Sequence, residues 1–362
     1  MTTETPTTPF FPLSYPDAFP FSPPCSLQQE PENSASPRLI ASLNRFDSSL
    51  SGKGVKIAFI CAFGSLTLEN DLDTFLKTYG LPDINISLHY PLGTPFYHTS
   101  SWTSESSLCS QWISAFCPDA EIFGVFSPSD NIFDLITCAL YASKELSADV
   151  ICMSFGCKEF KGQEELCTLL CSASERSIFV SASGNTCGSV FFPSSCKCAL
   201  SVGKCNVRAV AEDLIPAGLE HVSSDSSSGC SRYTKVPFHQ SLMRKNTADN
   251  SVFRSCPDFC MRLPSNISPA IFISGSGFIK ANGTSLCCVL ATCMLSQLLE
   301  SNPKSFNSKS SISRYLYTLA GGESYDFSQY YFSDITLGQN AHRGFDTSTG
   351  LGAANAALIC KG

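Results

Sequence analysis

The 362-residue chain has few charged residues and no cluster of one sign. Only 15% of its residues are charged, its formal net charge is -7, and its lysines and arginines are scattered. A surface that binds nucleic acid or an anionic membrane concentrates positive charge. The composition therefore predicts neither nucleic acid nor membrane as a partner.

The sequence also lacks a recognisable export signal and a membrane-length apolar run. Residues 1–6 contain no basic segment, and no apolar core follows them. The longest apolar stretch, residues 286–299, is interrupted by polar residues and is shorter than the ~20 residues needed to cross a bilayer. We expect a soluble, cytoplasmic protein.

Cysteine is abundant, with 20 residues, but paired CxxC motifs of the kind that bind zinc are missing. Pairs such as Cys167-x3-Cys171 and Cys196-x-Cys198 do not have that spacing. With 43% hydrophobic residues the chain is long enough to form a core without a disulfide scaffold. Most cysteines are expected to be free thiols that pack as small apolar side chains in a reducing compartment.

The order of apolar segments predicts an α/β fold, a doubly wound and mainly parallel sheet flanked by helices. Residues 1–37 are rich in Pro, Ser and Thr and are predicted to be a disordered arm, and residues 38–362 one domain. Residues 206–281 are predicted to be an irregular surface elaboration, followed by a buried helix over residues 284–299. Strands are predicted at 55–62, 84–89, 121–126, 149–154, 177–181 and 199–202, and crossover helices at 66–79, 102–116, 131–146 and 163–174.

Two short motifs could support acyl-transfer chemistry. Gly283-Thr284-Ser285 opens the buried apolar helix, where free backbone N–H groups and the helix dipole would favour an oxyanion beside Ser285. Asn185 follows an apolar strand, at the strand end where ligands bind in parallel sheets, and its amide could donate to that oxyanion. Each motif also has an ordinary structural interpretation, a helix cap for Ser285 and a turn for Asn185.

A serine nucleophile needs a proton acceptor, and the five histidines lie in no motif that would supply one. The remaining candidate is Glu105, which lies on a predicted helix with Cys109 one turn later on the same face. The alternative is that Glu105 is a solvated surface residue.

Taken in order, these motifs resemble the sedolisin family, the serine-carboxyl peptidases related to the subtilisins. The resemblance implies the subtilisin-like doubly wound sheet, a peptide or protein substrate, Ser285 as nucleophile, Glu105 as general base and then acid, and Asn185 as oxyanion donor. The segments that carry it are Trp102-x-x-Glu105, residues 117–122, Met153-Ser154-Phe155-Gly156, Ser183-Gly184-Asn185, Phe192-Pro193-Ser194, Ser201-Val202-Gly203, Pro257-Asp258 and Gly283-Thr284-Ser285.

The chain departs from the family pattern in three places. Cys109 stands where the family has a second carboxylate, Asn185 stands where an Asp is usual, and Cys61 replaces an Asp on the first strand. Without a carboxylate at position 109, Glu105 is expected to ionise more readily, which would move activity toward neutral pH. The alternative is a poorly oriented Glu105 and a catalytically inactive pseudo-peptidase that binds polypeptide in its cleft.

The C-terminal segment resembles the calcium site of the same family. The resemblance implies one Ca²⁺ bound by the carboxylates of Asp334 and Asp346 and by backbone carbonyls of Ile335, His342 and Gly344. The alternative is a turn rich in Gly and Asp that only shapes the terminus. The family is commonly made with a long prosegment, and the roughly 50 residues before the first predicted strand are too few for one, so no conventional zymogen step is expected. The sequence makes no prediction of oligomeric state.

Overall fold

The structure, a computed structural model, describes residues 34–208, 220–244, 251–303, 305–306, 308–321, 331–338 and 340–362. Its helices are α1 Pro37–Asn44, α2 Leu68–Thr78, α3 Ser100–Phe116, α4 Ile132–Lys144, α5 Gln163–Ala173, α6 Phe238–Arg244, α7 Thr284–Ser301, α8 Ser311–Leu319 and α9 Ala356–Lys361. Its strands are β1 Ser34–Ala35, β2 Lys56–Ala62, β3 Ile86–His89, β4 Glu121–Ser127, β5 Val150–Met153, β6 Cys157–Lys158, β7 Ile178–Ala182, β8 Phe191–Phe192, β9 Ala199–Val207, β10 His221–Val222, β11 Gly229–Lys235, β12 Phe253–Cys256, β13 Phe259–Pro264, β14 Ser268–Ile273, β15 Gly277–Lys280, β16 Phe332–Ser333 and β17 Ala353–Ala354.

The centre of the molecule is a ten-stranded sheet in the order β16-β17-β13-β9-β7-β5-β2-β4-β3, with β10 paired to β9. All of its pairings are parallel except those of β16 with β17 and of β10 with β9. Helices cover both faces, so the central strands are buried on both sides and have nearly continuous apolar sequences. The α/β doubly wound fold predicted from the sequence is confirmed.

Helix α7 lies in the core, and 16 of its 18 residues are buried. It packs against β5, β7, β9 and β13 and against α3. A helix that is apolar around its whole circumference is buried, and α7 has this character. Within the described residues it is the one helix long and apolar enough to cross a membrane, and it lies inside the protein.

Helix α3 is fixed to the hairpin formed by β14 and β15. The Gln111 side chain donates to the carbonyl of Phe272 at 2.7 Å and accepts from its N–H at 2.9 Å. The Trp112 indole Nε1 donates to the carbonyl of Ala270 at 3.1 Å. These side chains replace the strand partner that β14 lacks on that edge, since its pairing with β1 covers only Ser268 and Pro269.

The predicted strands and crossover helices are present, with ends that differ by a few residues. The prediction of an irregular segment over residues 206–281 is wrong, because it contains central-sheet strand β13 and the β14–β15 hairpin. Arg262 interrupts the apolar pattern of β13. Its buried guanidinium is satisfied by Glu220 at 3.1 Å and the carbonyl of Ala354 at 2.6 Å, so the strand tolerates a charge in the core.

The predicted N-terminal arm ends earlier than residue 37. Residues Ser34 and Ala35 pair with β14, and the Ser36 hydroxyl caps α1 by accepting from the N–H of Leu39 at 3.2 Å. Pro37 follows at the first helical position, where its missing N–H costs nothing. Residues 34–37 therefore belong to the domain, and the rest of the predicted arm lies outside the described residues.

The cysteines are mostly free thiols, as predicted. Most of those in the described residues are free, and Cys167 and Cys196 form a disulfide.

Candidate active site

Ser285 is a buried residue in the first turn of α7. The helix follows Gly283, whose φ of 93° lies in the left-handed region. A Cβ at this position would lie 3.1 Å from the amide of Asn185. Glycine therefore allows the start of α7 to approach the loop after β7, and this brings Ser285 and Asn185 to the same end of the sheet.

Ser154, directly after β5, contacts Ser285 in both directions. The Ser285 Oγ donates to the carbonyl of Ser154 at 3.4 Å, and the Ser154 Oγ donates to the carbonyl of Ser285 at 3.3 Å. Both distances are long for O–H···O hydrogen bonds, so these contacts are weak. The Ser285 hydroxyl is therefore free to rotate toward another acceptor. Sequence reasoning quoted Ser154 as part of a motif but assigned it no role.

Asn185 is held in one orientation by Thr284. Its Oδ1 accepts from the Thr284 N–H at 2.8 Å and from the Thr284 hydroxyl at 3.0 Å, and the N–H of Gly184 donates to that hydroxyl at 3.1 Å. Two donors at Oδ1 fix the orientation of the amide, so Nδ2 is the atom that could donate to another group. This Nδ2 is buried and has no hydrogen-bond partner among the described residues. A buried unpaired donor costs about 1–3 kcal/mol and is typical of a functional site.

Glu105 lies on α3 and is only 2% exposed. Neither of its carboxyl oxygens has a hydrogen-bond partner among the described residues. Burial raises the pKa of Glu105 to about 8. The nearby Ser285 hydroxyl opposes part of this rise, and Cys152 adds to it through its charge. Ser285 and Glu105 do not meet hydrogen-bond geometry. The sequence-based expectation that Glu105 ionises readily considered only the missing second carboxylate. Burial has the larger effect, and the carboxyl is mainly protonated at neutral pH.

Cys109 is fully buried, one turn after Glu105, and belongs to a group of thiols. Hydrogen bonds with Cys152 and with Cys61, together with burial, raise its pKa well above the ordinary value. Its Sγ also donates to the Ser154 Oγ at 3.9 Å. Cys61 and Cys109 are two of the positions where the family resemblance implies carboxylates, and the structure places them side by side. Two cysteines thus lie together where the resemblance implies two acids.

The subtilase family model matches residues 102–352, a range that includes Glu105, Asn185 and Ser285. The chain belongs to the subtilase family. No curated protein sequence matches this subtilase significantly.

Solved structures of peptidases share the fold of this subtilase. A Pseudomonas sedolisin, a serine-carboxyl proteinase solved with pseudo-iodotyrostatin, has a TM-score of 0.77 at 18% identity, over 91% of this chain and 97% of its own. The psychrophilic protease S41 has a TM-score of 0.57 at 19% identity, over 91% and 99% of the two chains. Sphericase has a TM-score of 0.56 at 16% identity, over 91% and 99%. The predicted subtilisin-like fold is confirmed, and the roles of the site residues remain predictions.

Lys204 lies close to the start of α7 in this subtilase, and the sequence interpretation missed it. Its side chain is 2% exposed, and its ammonium donates to Asp225 at 2.7 Å and to Asn282 Oδ1 at 3.1 Å. The same Asn282 oxygen accepts from the N–H of Gly283 at 2.8 Å. Lys204 therefore anchors the turn that leads into Ser285. A lysine within the apolar strand β9 was the available signal.

The C-terminal residues predicted to bind calcium lie close together. Asp334 accepts from the N–H of Gly344 at 3.1 Å, and Asp346 accepts from the N–H of His342 at 3.0 Å. Burial raises the pKa of both carboxyls, and the charge of Asp346 raises that of Asp334 further. Ile335 is buried next to Asp334. Two partly desolvated carboxylates of like charge are donors of the kind that a hard cation takes, although Asp346 already accepts from the N–H groups of His342, Ser348 and Thr349.

Proposed function

We propose that this subtilase is a serine-type endopeptidase, with Ser285 as the nucleophile, Glu105 as general base and acid, and Asn185 as the oxyanion donor. The observation that carries the proposal is the amide of Asn185. Thr284, the residue before the serine, fixes its oxygen, and its Nδ2 is buried without a hydrogen-bond partner in the described part of the chain. A donor held in this way requires no reorganisation when negative charge develops on a substrate carbonyl.

The proposed reaction begins when the Ser285 Oγ attacks the carbonyl carbon of the scissile peptide bond and its proton passes to ionised Glu105. The carbonyl oxygen becomes negative and accepts from Asn185 Nδ2 and from free N–H groups at the start of α7. Protonated Glu105 then donates its proton to the leaving amine, which leaves an acyl-enzyme for water to hydrolyse. A carboxyl with a pKa of about 8 is a suitable acid for the second step near neutral pH.

Calcium is proposed as a structural ion. The carboxylates of Asp334 and Asp346, with carbonyls of Ile335, His342 and Gly344, would hold it. Binding there would neutralise the like charges and fix the C-terminal loop.

A second candidate function is a pseudo-peptidase that binds polypeptide in the same cleft without cutting it. The arrangement around Glu105 favours this alternative, because its carboxyl has no hydrogen-bond partner among the described residues and Cys109 interacts with thiols instead. A base without an orienting partner loses rate severely.

The two functions can be separated with a fluorophosphonate serine probe and a diverse peptide mixture, from about pH 5 to about pH 9.5, which brackets the Glu105 pKa. Wild type is compared with Ser285→Ala, with Cys109→Asp, and with Ser296→Ala as a matched buried serine on α7. Labelling and cleavage that only Ser285→Ala abolishes support the peptidase. No reaction of wild type at any pH, with a gain in Cys109→Asp, supports the pseudo-peptidase. Labelling that survives Ser285→Ala contradicts the site assignment.

A further inference from the structure

Four cysteines from two segments of the chain meet beside the start of β9. Cys167 and Cys171 lie on one face of α5, one turn apart, with their sulfurs 4.0 Å from each other. Cys196 and Cys198 precede β9, with sulfurs 3.3 Å apart. The sulfurs of Cys167, Cys171 and Cys196 all lie within 4.8 Å of one another, and the Cys171 and Cys198 thiols are hydrogen-bonded.

We propose that these four cysteines, when reduced, bind one zinc ion as a closed tetrahedral thiolate site. Zinc–sulfur bonds of about 2.3 Å in a tetrahedron place the sulfurs about 3.8 Å apart. The separations of 3.3 and 4.0 Å within the two pairs bracket that value. Cys198 lies outside the set of sulfurs that are all within 4.8 Å of one another, so its side chain would move toward Cys167 when the metal binds. The cysteines form no CxxC motif along the sequence; a helix face supplies one pair and a turn supplies the other.

Two cationic side chains, Lys197 and Arg254, lie close to the cluster. Lys197 stands between Cys196 and Cys198 in the sequence. Arg254 also donates to the carbonyls of Ser194 and Ala199, on either side of the Cys196-x-Cys198 turn. A zinc ion with four thiolates has a net charge of -2, and the charge of Lys197 would offset part of it, whereas Arg254 is already paired with Asp258 at 2.6 Å.

The cluster is also accessible to a metal ion. Cys171 and Cys198 are half-buried and line a cavity of about 330 Å³ together with Lys197, His239 and Lys309. Cys167 and Cys196 lie behind them and are buried. Zinc could therefore enter from the cavity, with release of four thiol protons, and join α5 to the turn before β9.

The disulfide between Cys167 and Cys196 is the competing state of the same atoms. It removes two of the four ligands, so the disulfide and the zinc site exclude each other. In a reducing environment the thiols are retained and zinc has its full set of ligands. The chemistry of this cluster is independent of peptide cleavage and is tested without an activity assay.

The test uses the full chain, purified with a non-chelating reductant, and measures zinc by elemental mass spectrometry and cobalt by absorption. We expect one zinc per chain and the visible bands of tetrahedral thiolate-bound cobalt. Cys171→Ser and Cys198→Ser should each weaken zinc binding by roughly 100-fold or more, beyond the 10–100-fold typical of outer-shell changes. Cys230→Ser, another half-buried cysteine, is the matched control and should bind like wild type.

Cysteine alkylation gives a second measurement that does not depend on how well the variants fold. Zinc should protect Cys171 and Cys198 of wild type from alkylation, in comparison with the same reduced chain kept free of zinc. The proposal is overturned if the reduced chain takes up neither metal, or if zinc content is unchanged in both cluster variants. It is also overturned if Cys167 and Cys196 remain disulfide-bonded, and zinc absent, under the reducing conditions.

Discussion

The two halves of the candidate active site are held in different ways. On the oxyanion side, Asn185 and Thr284 are joined by hydrogen bonds of 2.8 and 3.0 Å, and Gly184 adds a third contact at 3.1 Å. On the base side, the carboxyl of Glu105 is buried without a hydrogen-bond partner among the described residues. The oxyanion side is therefore preorganised by geometry, whereas the base side depends on burial alone. If the natural protein has lost peptidase activity, we expect the cause to be the position of Glu105 and not that of Asn185.

Replacement of Glu105 has the largest expected effect. Glu105→Gln should lower kcat/KM by about 10²–10⁴-fold, the range for general acid–base catalysis.

The same substitution should raise the free energy of unfolding at alkaline pH. The folded-state pKa of about 8 lies above the unfolded value, so the free energy of unfolding is highest below the unfolded pKa and falls as pH rises toward 8. Gln carries no such penalty, and urea unfolding at pH 8 and at pH 5 should show a gain of several kcal/mol only at the higher pH.

Loss of the oxyanion donor is expected to be the next largest effect. Asn185→Ala should lower kcat by about 10²–10³-fold with little change in KM, because the amide acts on charge that develops in the transition state. The control is Asn206→Ala, which removes a half-buried side-chain amide on β9, away from the site. Equal losses of kcat in both variants would show that the effect is structural and would remove the distinction between the two sides.

The pH dependence of wild type should show the state of Glu105 directly. Since the base form is ionised and its pKa is about 8, kcat/KM should rise about tenfold per pH unit below 8 and level off above it. Cys109→Asp would add a second carboxylate that shares a proton with Glu105. One of the two carboxyls would then stay ionised at lower pH, so the variant should be active at lower pH than wild type. Cys109→Ser adds no charge and should retain the wild-type profile. A profile that is flat from pH 6 to pH 9 in wild type would argue against Glu105 as the base.

Calcium is expected to have the smallest effect and to leave the comparison between the two sides unchanged. At about 100 times its Kd, Ca²⁺ should stabilise the fold by about 2.7 kcal/mol, and a chelator should reverse the rise in Tm. Asp346→Asn should abolish that rise, and Asp119→Asn, an exposed carboxylate elsewhere, should retain it. An unchanged response in Asp346→Asn would place the ion elsewhere.

The sequence was sufficient to predict β2, β3, β4, β5, β7 and β9 of the central sheet and the serine at the start of α7, because these features depend on local pattern. The apolar strands end where Ser154 and Asn185 begin, and parallel strands bring such ends together. The pKa of Glu105 could not be predicted, because it depends on how deeply α3 packs against α7. The contact between Cys61 and Cys109 connects β2 with α3, and no spacing along the chain encodes it. Strand β13 was missed because partners distant in sequence satisfy Arg262.

The hydrogen bonds of Gln111 and Trp112 to β14 have a mechanical consequence. They fasten the helix that carries Glu105 to a hairpin whose second strand ends at Lys280, only a few residues before Ser285. The backbones of α3 and of the start of α7 are thus connected through one hairpin. A change in the outer loops need not move these two backbones relative to each other.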